Sequence, residues 1–206
     1  MANVDRPHGL TPVGHLLGLP WNGALRRCLV DADYATALYI GDPVDIDTTL
    51  VNKDATAKRQ TVMIATAGNA SGIYGVIVGM DPIRTDLSKQ YIPGSTGGYV
   101  YVCCDPYVIF RVQDNGGAVP TYVFPGQTCN LASGTGSTRT GLSGWEMSTT
   151  TGTTDDDQLL ILNMADIEDN ELAVNAEWDV LINTHRLKPN STGAGIAVGC
   201  IGVTSA

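Results

Sequence analysis

Two short apolar runs, Tyr99-Val-Tyr-Val-Cys-Cys104 and Tyr107-Val-Ile-Phe-Arg-Val-Gln113, flank an Asp105-Pro106 turn signal. β-Branched and aromatic residues fill both runs, as in strands, and the proline between them forbids one unbroken ladder. The pattern predicts strand, corner, strand. In the second run Val108, Phe110 and Val112 fall on one side, and Arg111 and Gln113 on the other, a period of two that sets one face in a core and one in water. The first run alternates Tyr99, Tyr101 and Cys103 with Val100, Val102 and Cys104 and is apolar on both faces, so a second sheet or a neighbouring subunit is expected to cover it.

Similar patterns predict strands at Tyr34–Ile40, Thr61–Thr66, Ile73–Gly79, Thr121–Phe124, Leu159–Met164 and Trp178–Asn183. Thr61–Thr66 and Ile73–Gly79 read as a hairpin around the Gly68-Asn-Ala-Ser-Gly72 turn, whereas residues 45–60 are polar and read as a loop. The glycine-rich run Gly193–Val203 carries side chains small enough for close backbone approach. About eight to ten strands and no helical periodicity indicate an all-β fold, a β-sandwich, jelly-roll-like or barrel-like domain.

The first 30 residues break this pattern, because Pro7, Gly9, Pro12, Gly14, Gly18, Pro20 and Gly23 recur too often for a helix or a long strand. Residues 1–30 therefore read as an extended N-terminal arm, and 31–206 as a single all-β domain. The arm's Val4, Leu10, Val13, Leu16, Leu17, Leu19 and Trp21 are too apolar for a solvated tail. They are expected to pack on the arm's own domain or on another subunit. Residues 126–154, rich in Gly, Ser and Thr, read as a long loop anchored at Trp145.

Only 16% of the 206 residues are charged and 43% are hydrophobic, which suits a surface of turns and strand edges partly covered by partners. A net charge of −9 without a basic cluster argues against a nucleic-acid surface, which needs clustered Lys and Arg. No apolar stretch reaches the length of a membrane-spanning helix, so no membrane partner is expected. Five cysteines without a Cys-x-x-Cys pair, after a start lacking a signal-peptide pattern, are expected to be reduced thiols of a cytosolically made protein.

No constellation points to catalysis, a cofactor or a metal. Cys129 or another thiol with His185 would be the starting point for nucleophilic chemistry, but Cys103 and Cys104 sit inside a strand, where cysteine is most often a small apolar residue. His8, His15 and His185 lack the paired spacing of a zinc site. Gly141-Leu-Ser-Gly144 lacks the full nucleophile-elbow pattern. Asp155-Asp-Asp157 lacks the alternate spacing of a calcium loop and reads as a solvated acidic turn. The acidic group Asp166, Glu168, Asp169 and Glu171 would be relieved by a cation or a basic partner.

Several segments together resemble one family. They are Met1-Ala-Asn-Val-Asp-Arg-Pro7, Gly9-Leu-Thr-Pro-Val-Gly14 and Gly18-x-Pro-Trp-Asn-Gly23, then Ile40-Gly-Asp-Pro-Val44, Gly75-Val-Ile-Val-Gly79 and Asp105-Pro106 with Val108-x-Phe110. Asp169-Asn-Glu171, Asn175-Ala176, Trp178-x-Val180 and Asn183-x-His185 complete the set. In these the chain is similar to the head decoration, or cement, proteins of tailed double-stranded DNA bacteriophages. The resemblance implies a non-enzymatic structural protein on the exterior of the virion head, assembled in the host cytoplasm and bound to the shell of major capsid protein. It implies a homo-oligomer at a symmetry axis, with a trimer favoured and a dimer as the alternative. Val4, Pro7, Leu10, Val13, Leu16, Leu17, Trp21 and Trp145 are the candidate interface residues. The competing expectation is a receptor- or glycan-binding virion protein, a head fibre or tail component, using the 126–154 loop.

Overall fold

The computed structural model describes residues 3–47, 59–68 and 71–188. They form an all-β, sandwich-like domain of eleven strands. In chain order these are β1 (Thr11–His15), β2 (Arg26–Val30), β3 (Pro43–Ile46), β4 (Val62–Ile64), β5 (Gly75–Met80), β6 (Gly98–Cys103), β7 (Val108–Gln113), β8 (Thr128–Ala132), β9 (Glu146–Gly152), β10 (Leu159–Met164) and β11 (Glu177–Ile182). A six-stranded antiparallel sheet has the order β1-β7-β11-β10-β8-β9, and a five-stranded one β2-β6-β5-β3-β4.

The strand–corner–strand pattern is present and divides the molecule, with β6 in the smaller sheet and β7 in the larger. Val108, Phe110 and Val112 point into the larger core, as their alternation requires, while Arg111 pairs with Asp179 across the β7–β11 ladder at 2.9 Å. Gln113, expected on the wet face, is buried. It accepts from the Arg6 amide and donates to the carbonyls of Val4 and Asn175, so the N-terminal segment covers it. On β6, Val100 and Val102 are fully buried, while Tyr99 and Tyr101 lie half-buried on the other face. Arg27 stacks on the Tyr99 ring and pairs with Asp81, which also accepts from the Tyr101 hydroxyl.

The smaller sheet curls until its margins meet, and the larger brings the end of β7 to its β9 margin. Leu29 of β2 bridges Thr61, with its amide donating to Gln60 at 2.9 Å, which links the two edges of the smaller sheet. Asp114, just beyond β7, bridges Met147 of β9 in the larger one. Curling of this kind hides edge backbone groups that would otherwise invite strand addition.

Several expectations are corrected. Residues 1–30 are not a separate arm: β1 pairs with β7, β2 pairs with β6, and Leu10, Cys28 and Val30 are core residues. Leu10 is drawn in where Gly9 and Gly41, both at positive φ, let two backbones touch and the Leu10 amide donates to Gly41 at 2.9 Å. Thr61–Thr66 and Ile73–Gly79 are not a hairpin, because β3, which runs into the first two residues of the expected polar loop, lies between β4 and β5. Tyr34–Ile40 makes only isolated bridges at Leu38 and Ile40. Thr121–Phe124 is a turn, since Pro120 and Pro125 remove ladder donors on both sides. Residues 126–154 are not one loop but contain β8 and β9, with Cys129, Leu131 and Met147 inward. The 193–203 run and Cys200 lie outside the described residues.

Asp114 is the polar group that closes the larger sheet. Fully buried, it accepts from the amides of Gly116, Asn175 and Ala176 and from the Trp178 indole. Asp114→Ala would strand these donors and is expected to lower unfolding stability by about 2–4 kcal/mol. Tyr122→Ala, at an exposed site, should change it by less than about 0.5 kcal/mol. Urea-denaturation midpoints check both.

Candidate functional site

The interface residues proposed from sequence separate into two groups. Leu10 and Trp145 are buried in the larger core, and Trp21 is partly buried against it, so none of these three is a free contact. Val13, Leu16 and Leu17 are exposed at one end of the larger sheet, Val4 and Pro7 at the other.

The first exposed group is built by the β1–β2 connection. Leu16 donates its amide to the Tyr107 carbonyl at 2.9 Å, continuing the β1–β7 pairing beyond the strands. The His15 amide then donates to Leu19 at 3.0 Å and the Gly18 amide to His15 at 2.9 Å, closing a tight turn. The His15 ring lies 3.4 Å from the Asp105 carboxylate and beside Tyr107. Trp21 holds the far limb. The loop is therefore tied at both ends while Leu17 is 77% and Leu19 64% exposed, with Leu16, Leu25, Val13 and Tyr107 around them. Residues 16–25 contain no charged side chain. An apolar display held this firmly loses little conformational entropy on being covered, which favours binding.

The segment before β1 is already occupied by its own domain. The Asn3 side chain donates to the carbonyls of Glu171 and Val174 and accepts from the Glu171 amide, and His8 sits 3.1 Å from Glu177. Next to this strap is an open groove of about 430 Å³, lined in part by Val4, Arg6, Gln113, Ile167 and Asn175. Glu146, at the start of β9, is also perturbed. Burial, then the neighbouring charges of Asp5 and Asp114, raise its carboxyl to about 7.

A second apolar display escaped the sequence patterns. Val119, Tyr122 and Val123 project from the β7–β8 connection, with Tyr122 88% exposed, while Phe124 turns inward against Trp178 at 5.4 Å. The signal available was the uncharged stretch from Asn115 to Thr138 with prolines at 120 and 125.

Three of the groups weighed for chemistry, Cys129, His185 and Asp157, are buried. Cys129 and His185 are both fully buried, and burial pushes the thiol up to about 12 and the imidazole down to about 4. A nucleophile needs an accessible thiolate, which this environment opposes. Asp157, expected in a solvated turn, is buried and accepts from Thr128, Asn130 and Thr154 at 2.7–2.8 Å. No cluster of three or more metal-ligating side chains occurs among the described residues. No helix among them is long and apolar enough to cross a membrane. The chain matches no family model, no curated protein and no solved structure.

The depressed His185 imidazole has a definite pH signature. The folded chain binds fewer protons there than the unfolded chain between about pH 6.5 and 4, so this contribution is complete above 6.5 and is lost as the pH falls towards 4. Asp42, raised by burial to about 6, and Glu146, raised to about 7, act oppositely, and both disfavour the fold as the pH rises through their windows. His185→Gln is therefore expected to flatten the acid side of the profile, with up to about 3 kcal/mol of pH-dependent difference from the parent between pH 6.5 and 4. Denaturant titrations across pH 4–8 measure it.

Proposed function

We propose that this chain is a structural virion protein, a decoration protein that binds the outside of a shell of major capsid protein and stabilises the head. The observation that carries the proposal is the display of uncharged apolar loops on an acidic β-scaffold whose described cysteines and His185 are buried. Covering an exposed leucine contributes about 1.5–3 kcal/mol, so a few such residues repeated over many copies give a large total. A net charge of −9 suits an outer surface away from packaged DNA. Stabilisation would follow mass action. Copies that bind an expanded shell and not the unexpanded one shift the equilibrium towards expansion by their differential affinity.

The segment pattern of the leader, the Ile40–Val44 and Gly75–Gly79 stretches and the Trp178-x-Val180 strand supports the same proposal through its resemblance to phage head decoration proteins. Co-sedimentation of the purified chain with empty shells is the appropriate experiment. Saturable binding to expanded shells and none to unexpanded ones is expected, together with no retention on a glycan array. Failure to bind either shell form, with retention on glycans, would contradict decoration and favour the receptor-binding alternative.

A further inference from the structure

Asn-Gly occurs twice in the sequence, at Asn22-Gly23 and at Asn115-Gly116. Asparagine is a thermolabile side chain, and a following glycine leaves its own backbone nitrogen unhindered and free to approach the side-chain carbonyl. The fold treats the two pairs in opposite ways.

At the second pair the nitrogen is committed, because the Gly116 amide donates to the buried Asp114 carboxylate at 2.9 Å. The Asn115 side-chain oxygen accepts from the amide and the hydroxyl of Thr149, both at 3.2 Å, and the Asn115 amide donates to the Met147 carbonyl at 2.9 Å. Turning this side chain back onto Gly116 means breaking its ties to β9. At the first pair nothing holds the nitrogen. The Gly23 amide donates to no group among the described residues, Asn22 and Gly23 are both exposed, and no atom beyond the chain neighbours lies within 4 Å of where a Gly23 Cβ would sit. The Asn22 side-chain oxygen accepts from the Ala24 amide at 3.0 Å, which folds the side chain forward over the Gly23 peptide.

We propose that Asn22 is a deamidation site, where water converts a neutral side chain of the first apolar loop into a carboxylate, and that the fold protects Asn115 from the same reaction. The Gly23 nitrogen gives its proton to solvent and bonds to Asn22 Cγ. The Cγ–Nδ2 bond breaks, and the departing nitrogen takes a proton from solvent and leaves as ammonia. Water then opens the cyclic imide at either carbonyl, giving aspartate or isoaspartate with no change of oxidation state. Residues 16–25 contain no charged side chain, so either product places the first charge in that loop. Desolvating the new charge opposes covering the loop. That consequence rests on the shell-binding reading, under which aged copies hold the head less tightly, whereas the reaction itself does not depend on it.

Peptide mapping by mass spectrometry, with isoaspartyl methyltransferase labelling, follows both sites in the full chain at mildly alkaline pH, folded and in urea. In the folded chain Asn22 is expected to convert at least about tenfold faster than Asn115, a factor equivalent to about 1.4 kcal/mol, since freeing an amide from a carboxylate costs that much or more. In urea the two rates are expected to converge. Equal or reversed rates in the folded chain, or a ratio that persists in urea, would overturn the proposal. Asn22→Asp, compared with the neutral Asn22→Gln, isolates the effect of the charge: a loss of co-sedimentation with expanded shells is expected for the first variant alone, and equal binding by both would overturn the effect on shell binding. A parent chain that binds no shell would refute decoration and leave the deamidation site standing on the mapped rates.

Discussion

Two adjacent cysteines set the architecture. Cys103 belongs to the larger core and Cys104 to the smaller, as the alternation of a chain lying between two cores requires, and the corner that follows carries the chain from one sheet into the other. Burial holds the Cys103 thiol up at about 11 and raises that of Cys104, which keeps both as small apolar groups. Asp105 makes the turn, its carboxylate accepting from the Tyr107 amide at 2.9 Å and its backbone carbonyl from Val108 at 3.4 Å. The same carboxylate meets His15, so the corner that divides the sheets also orients the first apolar loop.

Around this corner, loops are fixed by buried polar side chains more than by apolar contact. Gln158, fully buried, accepts from Gly68 and Leu131 and donates to Thr66 and Ser71, joining the β4–β5 connection to the larger sheet. Arg186 pairs with Asp45 at 2.8 Å, and its amide donates to Ile73, binding the segment after β11 to the smaller sheet. Together with Asp114 these side chains satisfy backbone groups where strands end, a requirement that apolar packing alone does not meet.

β7 and β11 were legible from their alternation, and β10 from the continuous apolar run Leu159–Leu162 that reads as a strand covered on both faces. β3, β8 and β9 were hidden. The inward Asp45 of β3 is matched by Arg186, 141 residues away, so its polarity looked like loop. β8 and β9 carry only Cys129, Leu131 and Met147 as inward apolar side chains, and their Thr and Ser resemble linker composition. Local glycine and proline suggested an extended arm outside the domain because partners lie far along the chain: β1 depends on β7, β2 on β6 and Asn3 on Glu171. The exposed leucines of residues 16–25 were visible as an anomaly in sequence. The opposite loop was not, since Thr121–Phe124 has a strand's composition and only its flanking prolines show otherwise.

In the proposed assembly the corner, the buried polar ties and the two neutral loops have one consequence: a rigid unit whose remaining apolar surface is complementary to proteins around it. Electron cryomicroscopy of expanded shells saturated with the chain tests this most directly. The account predicts ordered density on the outer surface, with the exposed loop of residues 16–25 set against the shell. Density on the inner surface, or copies whose two loops both face solvent, would contradict it.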